Sequence, residues 1–74
     1  MSDTQRVTLE IGGREINLTQ VLKLSGAVMT GGEAKLLIAD GLVKVNGQVE
    51  LRKRRQMAVG DVVDLDGQII VELV

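Results

Sequence analysis

The spacing of hydrophobic residues changes along the chain, and it predicts strands towards both ends with helices between them. Val7, Leu9 and Ile11 alternate with polar residues, which is typical of a half-buried strand. The Gly12-Gly13 pair predicts a tight turn, so residues 14–18 are expected to return as the second strand of a hairpin.

A first short helix is predicted after this hairpin, starting near residue 18. Either Asn17 or Thr19 serves as its N-terminal cap, and Gly26 ends it. The positions that recur at helical spacing are Leu18, Val21, Leu22 and Ser25.

A second helix is predicted to begin at the Thr30-Gly31-Gly32-Glu33 segment. This segment has the pattern of a capping box, in which Thr30 accepts from the backbone of Glu33 and the Glu33 side chain reaches back. The helix is expected to run through Asp40, with Gly41 as its left-handed terminator. Its buried face is predicted to consist of Ala34, Leu37 and Ile38, and its opposite face of Gly31, Lys35 and Ala39.

The rest of the chain, residues 42–74, returns to a two-residue period. Val43 and Val45 are predicted to point inward, Asn46-Gly47 to form a type I′ turn, and Val49 and Leu51 to resume the inward face. A second hairpin is predicted from residues 62–65 and 69–74 around Asp66-Gly67. We therefore expect a single domain over residues 1–74 of the α+β class, with two short helices packed on a small, mainly antiparallel sheet.

The composition of the 74 residues argues against several functions. The chain has no His and no Cys, so the usual general base, thiol nucleophile and zinc ligands are missing. A chain of this length can hardly enclose a pocket, so we expect no enzyme activity, no cofactor and no small-molecule substrate. It also has no aromatic residue, and common single-strand binders stack bases on aromatic rings.

The chain shows no pattern of membrane insertion or secretion. No stretch approaches the roughly 20 apolar residues that span a bilayer. The first 13 residues have neither a basic start nor an apolar run, so no secretory signal is expected. We therefore predict a cytoplasmic protein with no membrane partner.

Positive charge is concentrated in one part of a chain whose net charge is −1. Residues 35–55 contain six basic and two acidic residues, whereas the rest of the chain contains three basic and eight acidic ones. Four of the six basic residues are consecutive: Arg52, Lys53, Arg54 and Arg55. Packed like charges repel unless a polyanion or local acids neutralise them, and Glu50 is the only acid nearby. The run is thus either a solvated loop or a site for phosphate groups, which both Arg and Lys bind.

Two further features extend this candidate phosphate site. Lys35 and Lys44 flank the second helix, so the basic residues are expected to converge on one continuous surface. At the start of that helix, unpaired N–H groups and the helix dipole attract anions, and Gly31 and Gly32 would let a phosphate approach closely. The alternative is that these glycines only form a flexible junction, since Glu33 already uses part of the same set of N–H groups.

Residues 30–47, TGGEAKLLIADGLVKVNG, resemble the core signature of the RNA-binding domain named for ribosomal small-subunit protein S-four, the alpha-L motif. The resemblance is carried by Thr30, Ala34, Leu37, Ile38, Gly41, Val43, Val45, Asn46 and Gly47. It extends back through residues 18–22 and forward to Gly60-Asp61-Val62-Val63, so that it covers about two thirds of the chain.

This resemblance implies that two helices and a hairpin grip structured RNA, with rRNA, tRNA or the ribosome as the partner. The RNA-facing set would be Thr30, Gly31, Gly32, Lys35, Lys44, Arg52, Lys53, Arg54 and Arg55. The chain departs from the family pattern where Gly31 replaces a common Arg, and where Asn17 replaces a common basic residue. Both departures remove a phosphate contact. The alternative function is a protein-binding adaptor whose basic loop meets an acidic partner, or whose sheet edge pairs with a partner strand.

Overall fold

The computed structural model describes residues 3–74, and the first two residues of the predicted domain lie outside the described part. The elements, in chain order, are β1 (Gln5–Leu9), β2 (Ile16–Asn17), α1 (Leu18–Leu24), α2 (Gly31–Ala39), β3 (Val43–Val45), β4 (Gln48–Val49), β5 (Gln56–Met57), β6 (Val62–Leu65) and β7 (Ile69–Leu73). This arrangement of two helices and a mainly antiparallel sheet confirms the predicted fold class.

Five of the strands form one sheet in the order β1-β7-β6-β3-β4. All its neighbours are antiparallel except β1 and β7, which are parallel. The two remaining strands, β2 and β5, form a separate antiparallel pair in which Ile16 lies opposite Met57. Strand β2 directly precedes α1 in the chain, and β5 directly follows residues 52–55.

The core is aliphatic and lies between the helices and one face of the sheet. Within residues 3–74 no polar or charged residue is buried, so burial of apolar surface is the main source of stability. The fully buried large side chains are Ile11, Leu18, Val21, Leu22, Ile38, Val43, Val63, Val71 and Leu73.

The predicted hairpin at Gly12-Gly13 is wrong, although the turn itself is present. Both glycines have positive φ, and Arg14 N–H donates to the Ile11 carbonyl at 2.9 Å. The first strand instead pairs with β7 at the other end of the chain, and the returning segment pairs with β5. The pattern of residues 5–11 shows a half-buried strand but carries no information about its partner.

The predicted inward positions of Val49 and Leu51 are also wrong. The Asn46-Gly47 turn is confirmed: both residues have positive φ and the loop has two residues. Such a loop places Val45 opposite Gln48 and Lys44 opposite Val49, and opposite residues share a face of the sheet. Val49 therefore lies with Lys44 on the outer face. It is 52% exposed, and Leu51, beyond the end of β4, is 62% exposed.

Both helices begin at caps, but the reciprocal capping box is found on α1 and not on α2. The Asn17 side chain accepts from Gln20 N–H, and the Gln20 side chain accepts from Asn17 N–H, which selects Asn17 over Thr19 as the cap. At α2, Thr30 Oγ1 accepts from Glu33 N–H at 3.1 Å. The expected return bond from the Glu33 side chain is absent from the bonds of residues 3–74, since Glu33 faces solvent.

The predicted ends of the helices and the second hairpin are confirmed. Gly26 and Gly41 follow the two helices with positive φ, as expected of helix terminators. Strands β6 and β7 are joined at Asp66-Gly67, with Gln68 as a third loop residue between Leu65 and Ile69.

Candidate nucleic-acid interface

The four consecutive basic residues, 52–55, form a loop between β4 and β5, which we call the basic loop. Its backbone is fixed to the start of α1. The Lys53 carbonyl accepts from Thr19 N–H at 3.2 Å and from Thr19 Oγ1 at 2.8 Å, and the Arg55 carbonyl accepts from Leu18 N–H at 3.0 Å. The Lys53 and Arg54 side chains are exposed to solvent.

Thr19 also lies beside the start of α2, between the two candidate phosphate sites. A Cβ atom on Gly31 would lie 3.8 Å from Thr19 Cγ2, which is ordinary van der Waals contact. Gly31 is half-buried, whereas Thr30 and Gly32 are exposed. The structure therefore brings residues 30–32 and the basic loop to the same end of the two helices.

Two of the four basic side chains are paired with carboxylates of the chain itself. Glu50 Oε1 lies 2.8 Å from Arg52 Nη2 and 3.0 Å from Arg55 Nε, and Glu50 Oε2 accepts from Arg52 Nε at 3.1 Å. Arg55 Nη1 also lies 3.4 Å from Asp61 Oδ2. Glu50, the acid that the sequence places beside the basic run, thus pairs with both Arg52 and Arg55, and Asp61 is a second acid that the sequence did not place there.

Asp61 links this ion-pair network to the Asn46-Gly47 turn. Asn46 Nδ2 donates to Asp61 Oδ1 at 3.0 Å, and Asn46 Oδ1 accepts from Val62 N–H at 2.9 Å. The second Asp61 oxygen accepts from Ala58 N–H at 2.9 Å. The turn residue, the carboxylate and Arg55 therefore form one chain of hydrogen bonds that fixes the far end of the basic loop.

The pKa values of both carboxyl groups are lowered in this network. Hydrogen bonds from the Arg52 side chain and backbone lower the pKa of Glu50 to about 2. For Asp61, partial burial acts to raise the pKa, but hydrogen bonds from Asn46 and Ala58 and the charge of Arg55 outweigh it, so the pKa is lowered. Both groups are thus ionised at neutral pH.

Four of the basic residues predicted for the site have no ion pair within residues 3–74: Lys35, Lys44, Lys53 and Arg54. Lys35 lies one helical turn after Gly31, on the same side of α2. Lys44 is different, because it alternates with the buried Val43 and Val45 and so lies on the sheet face away from the helices, opposite Asp64. Lys44 therefore does not belong to the predicted single continuous surface.

The surface beside the basic loop is a shallow concavity of about 600 Å³, lined by Arg52, Arg54, Arg55 and Gln56. An open concavity lined by three arginines fits a phosphate backbone better than it fits an enclosed small molecule. Among residues 3–74 no group of acids is placed to hold a metal ion. The same residues form no helix with the length and apolar character needed to cross a membrane.

The sequence indicated the basic residues of this site but missed the residues that hold them in place. The sequence predicts a candidate cap at Thr19, a turn at Asn46 and a family signature that includes Asn46 and Asp61, but it does not indicate that these three side chains hold the basic loop. The available signal was an Asn and an Asp, each at the end of an apolar strand, because polar groups at such positions commonly bond to neighbouring backbone.

Comparisons with known proteins agree with this architecture. The family model described as "S4 domain" matches residues 9–72. "Putative RNA-binding protein YbcJ" of Escherichia coli is 42% identical over 55 residues, which cover 74% of this chain and 79% of that protein. "Probable ribosome maturation protein RlbA" of Bacillus subtilis is 37% identical over 59 residues, which cover 80% of this chain and 83% of that protein.

A solved structure shows the same fold. The solution structure of YbcJ from E. coli, described as revealing an alfaL motif involved in RNA-binding, matches with a TM-score of 0.60 and 37% identity. The match covers 97% of this chain and 91% of that one. Since the family model and two relatives of similar length match most of the sequence, and the helices and hairpin are those of the alpha-L motif, this chain belongs to the S4 domain family.

Proposed function

We propose that this protein is a single RNA-binding domain that contacts the phosphate backbone of structured RNA and catalyses no reaction. The proposal rests mainly on the position of Thr19, which lies beside Gly31 and donates a hydrogen bond to the Lys53 carbonyl. An RNA strand that lies across α1 would therefore meet the start of α2 on one side and the basic loop on the other.

The basic residues divide into two roles in this proposal. Lys53, Arg54 and Lys35 neutralise phosphates, because they are exposed and unpaired in the described part of the chain. Arg52 and Arg55 mainly fix the loop, although Arg52 remains 74% exposed and can still reach a phosphate. Lys44 contributes only if the RNA extends around the edge of the sheet.

Folded or double-stranded RNA is the favoured ligand class. With no aromatic side chain to stack on, the surface can recognise shape and backbone better than single-stranded bases. The name of the B. subtilis relative connects that protein with ribosome maturation, which favours rRNA over tRNA as the target. Binding to rRNA would place the protein in the cytoplasm, on or near the ribosome.

The proposal is tested by removing the two unpaired charges of the basic loop. We expect K53A/R54A to bind a fluorescently labelled rRNA helix at least about tenfold more weakly in 0.1 M salt. The slope of log affinity against log salt concentration should become less negative by about 1.5, since each lost phosphate contact contributes roughly 0.7 to 0.9. Fluorescence anisotropy at several salt concentrations measures both quantities.

The control is R6A/R14A, which removes the same charge from the other end of the sheet. This variant should keep most of its affinity, because Arg6 and Arg14 lie on or beside β1, whereas the basic loop follows β4. Equal losses in the two variants would mean that only net charge matters, and the proposed surface would be rejected.

The adaptor function would be favoured instead by a different result of purification. The purified protein would then show no 260 nm absorbance from nucleic acid and would carry an acidic protein bound to the basic loop.

A further inference from the structure

Strand β1 forms an edge of the sheet whose outer side has no partner within residues 3–74. Gln5 N–H donates to the Gln68 carbonyl, and the Leu9 carbonyl accepts from Val74 N–H, so these residues direct their backbone groups towards β7. Neighbouring residues in a strand point their N–H and C=O groups to opposite sides. Arg6, Thr8 and Glu10 therefore direct theirs away from the sheet, where they can bond to another strand.

The sequence of this edge is complementary to itself when a second copy runs antiparallel to it. Residues 6–10 read Arg-Val-Thr-Leu-Glu. If Thr8 of one copy lies opposite Thr8 of the other, Arg6 lies opposite Glu10 and Val7 lies opposite Leu9. Arg6, Thr8 and Glu10 are exposed on one face, whereas Val7 and Leu9 are half-buried on the face that packs against the core.

We propose that β1 is a dimerisation strand that pairs antiparallel with β1 of a second copy of this chain. In this register each directly opposed pair is chemically matched: two Arg–Glu pairs and one Thr–Thr pair on the outer face, and two Val–Leu pairs on the core face. Thr8, Arg6 and Glu10 have their backbone groups directed at the partner, so all three opposed pairs on the outer face are also the hydrogen-bonded pairs of the ladder. The two-fold axis closes the assembly at a dimer.

The pairing is short, and the dimer is correspondingly weak. The Glu10 carbonyl already accepts from Arg14 Nη2 at 3.0 Å, which limits the ladder to about five residues. An interface of this length lies below the roughly 1,200 Å² of a typical stable complex, so we expect a dissociation constant of about 10⁻⁴ M. Because β1 and β4 are opposite edges of the sheet, dimerisation leaves the basic loop free and does not depend on the RNA-binding proposal.

Sedimentation equilibrium and amide hydrogen exchange test this proposal on the full chain. Between about 10 µM and 1 mM, the average mass should rise from 8.0 kDa towards twice that value. Over the same range the N–H groups of Arg6, Thr8 and Glu10 should become protected, while those of Val7 and Leu9, already bonded to β7, should not change. A mass that stays at 8.0 kDa up to 1 mM overturns the proposal.

Charge exchange distinguishes this register from other modes of association. Arg6→Glu and Glu10→Arg each place like charges opposite one another, so each variant alone should dimerise at least about tenfold more weakly. An equimolar mixture of the two variants should restore association, because both contacts are then attractive, and so should the double variant R6E/E10R. If neither variant weakens the dimer, or the mixture does not restore it, the proposed pairing is wrong.

Discussion

The link between the Asn46-Gly47 turn and Asp61 can be tested by Asn46→Gly. Glycine keeps the positive φ of 52° at this position but removes both side-chain hydrogen bonds, to Asp61 Oδ1 at 3.0 Å and from Val62 N–H at 2.9 Å. The net contribution of one hydrogen bond to the free energy of unfolding is about 1 kcal/mol. The variant should therefore lose about 2 kcal/mol of this free energy, in addition to the entropic cost of glycine. A domain of this size has a total stability of roughly 4–11 kcal/mol, so the loss is large.

The matched control is Asp66→Gly in the other hairpin. Asp66 has nearly the same φ, 51°, and its side chain makes no hydrogen bond within residues 3–74. Thermal unfolding followed by circular dichroism should give a Tm for Asn46→Gly about 8–16 °C below that of Asp66→Gly, at roughly 4–8 °C per kcal/mol. If the two variants have the same Tm, the Asn46 side chain does not hold β6, and the proposed origin of the loop's rigidity is incorrect.

Three further variants test other parts of the structure. Leu22→Ala removes a fully buried side chain and should reduce the free energy of unfolding, measured in urea, by about 2–5 kcal/mol; a loss below 1 kcal/mol would argue against this core. Thr19→Val should cost about 1 kcal/mol and weaken RNA binding, whereas Thr19→Ser, which keeps the hydroxyl bonded to Lys53, should do neither. Glu50 has a folded pKa of about 2, below its ordinary 4.5, so it stabilises the fold above pH 4.5 and loses this effect as the pH falls towards 2. Wild type and Glu50→Gln should therefore converge in stability towards pH 2, and a difference that stays constant with pH would contradict this.

The sequence predicts local features of this protein well because their causes are local. The caps at Asn17 and Thr30, the terminating glycines and the Asn46-Gly47 turn each depend on residues within four positions of one another. The partner of β1 depends instead on residues 64 positions away, where Gln5 pairs with Ile69, and alternation alone does not identify it. The error at Val49 has another origin. The number of residues in the Asn46-Gly47 loop determines which residues of the two strands lie opposite one another, so the correct face of Val49 could have been predicted from the sequence.

The candidate site was predictable in its charges but not in its arrangement. Consecutive basic residues are visible in any sequence, whereas the separation of Lys53 and Arg54 from the paired Arg52 and Arg55 depends on where Glu50 and Asp61 lie. Lys44 is a different case: the predicted inward positions of Val43 and Val45 already imply that Lys44 lies on the other face of the sheet, so its separation from the basic loop could have been predicted from the sequence.

The parallel pairing of β1 with β7 also affects the order in which the chain folds. The other strand neighbours of the large sheet, β3-β4, β3-β6 and β6-β7, lie much closer together in sequence, and closing a long loop before contacts form is slow. The antiparallel strands and the helices can thus form together in the folding transition state, and β1 pairs with β7 afterwards. Weakening β1, for example by Val7→Ala, should accelerate unfolding and leave the refolding rate nearly unchanged. This strand thereby controls the lifetime of the native state more than the speed with which that state forms.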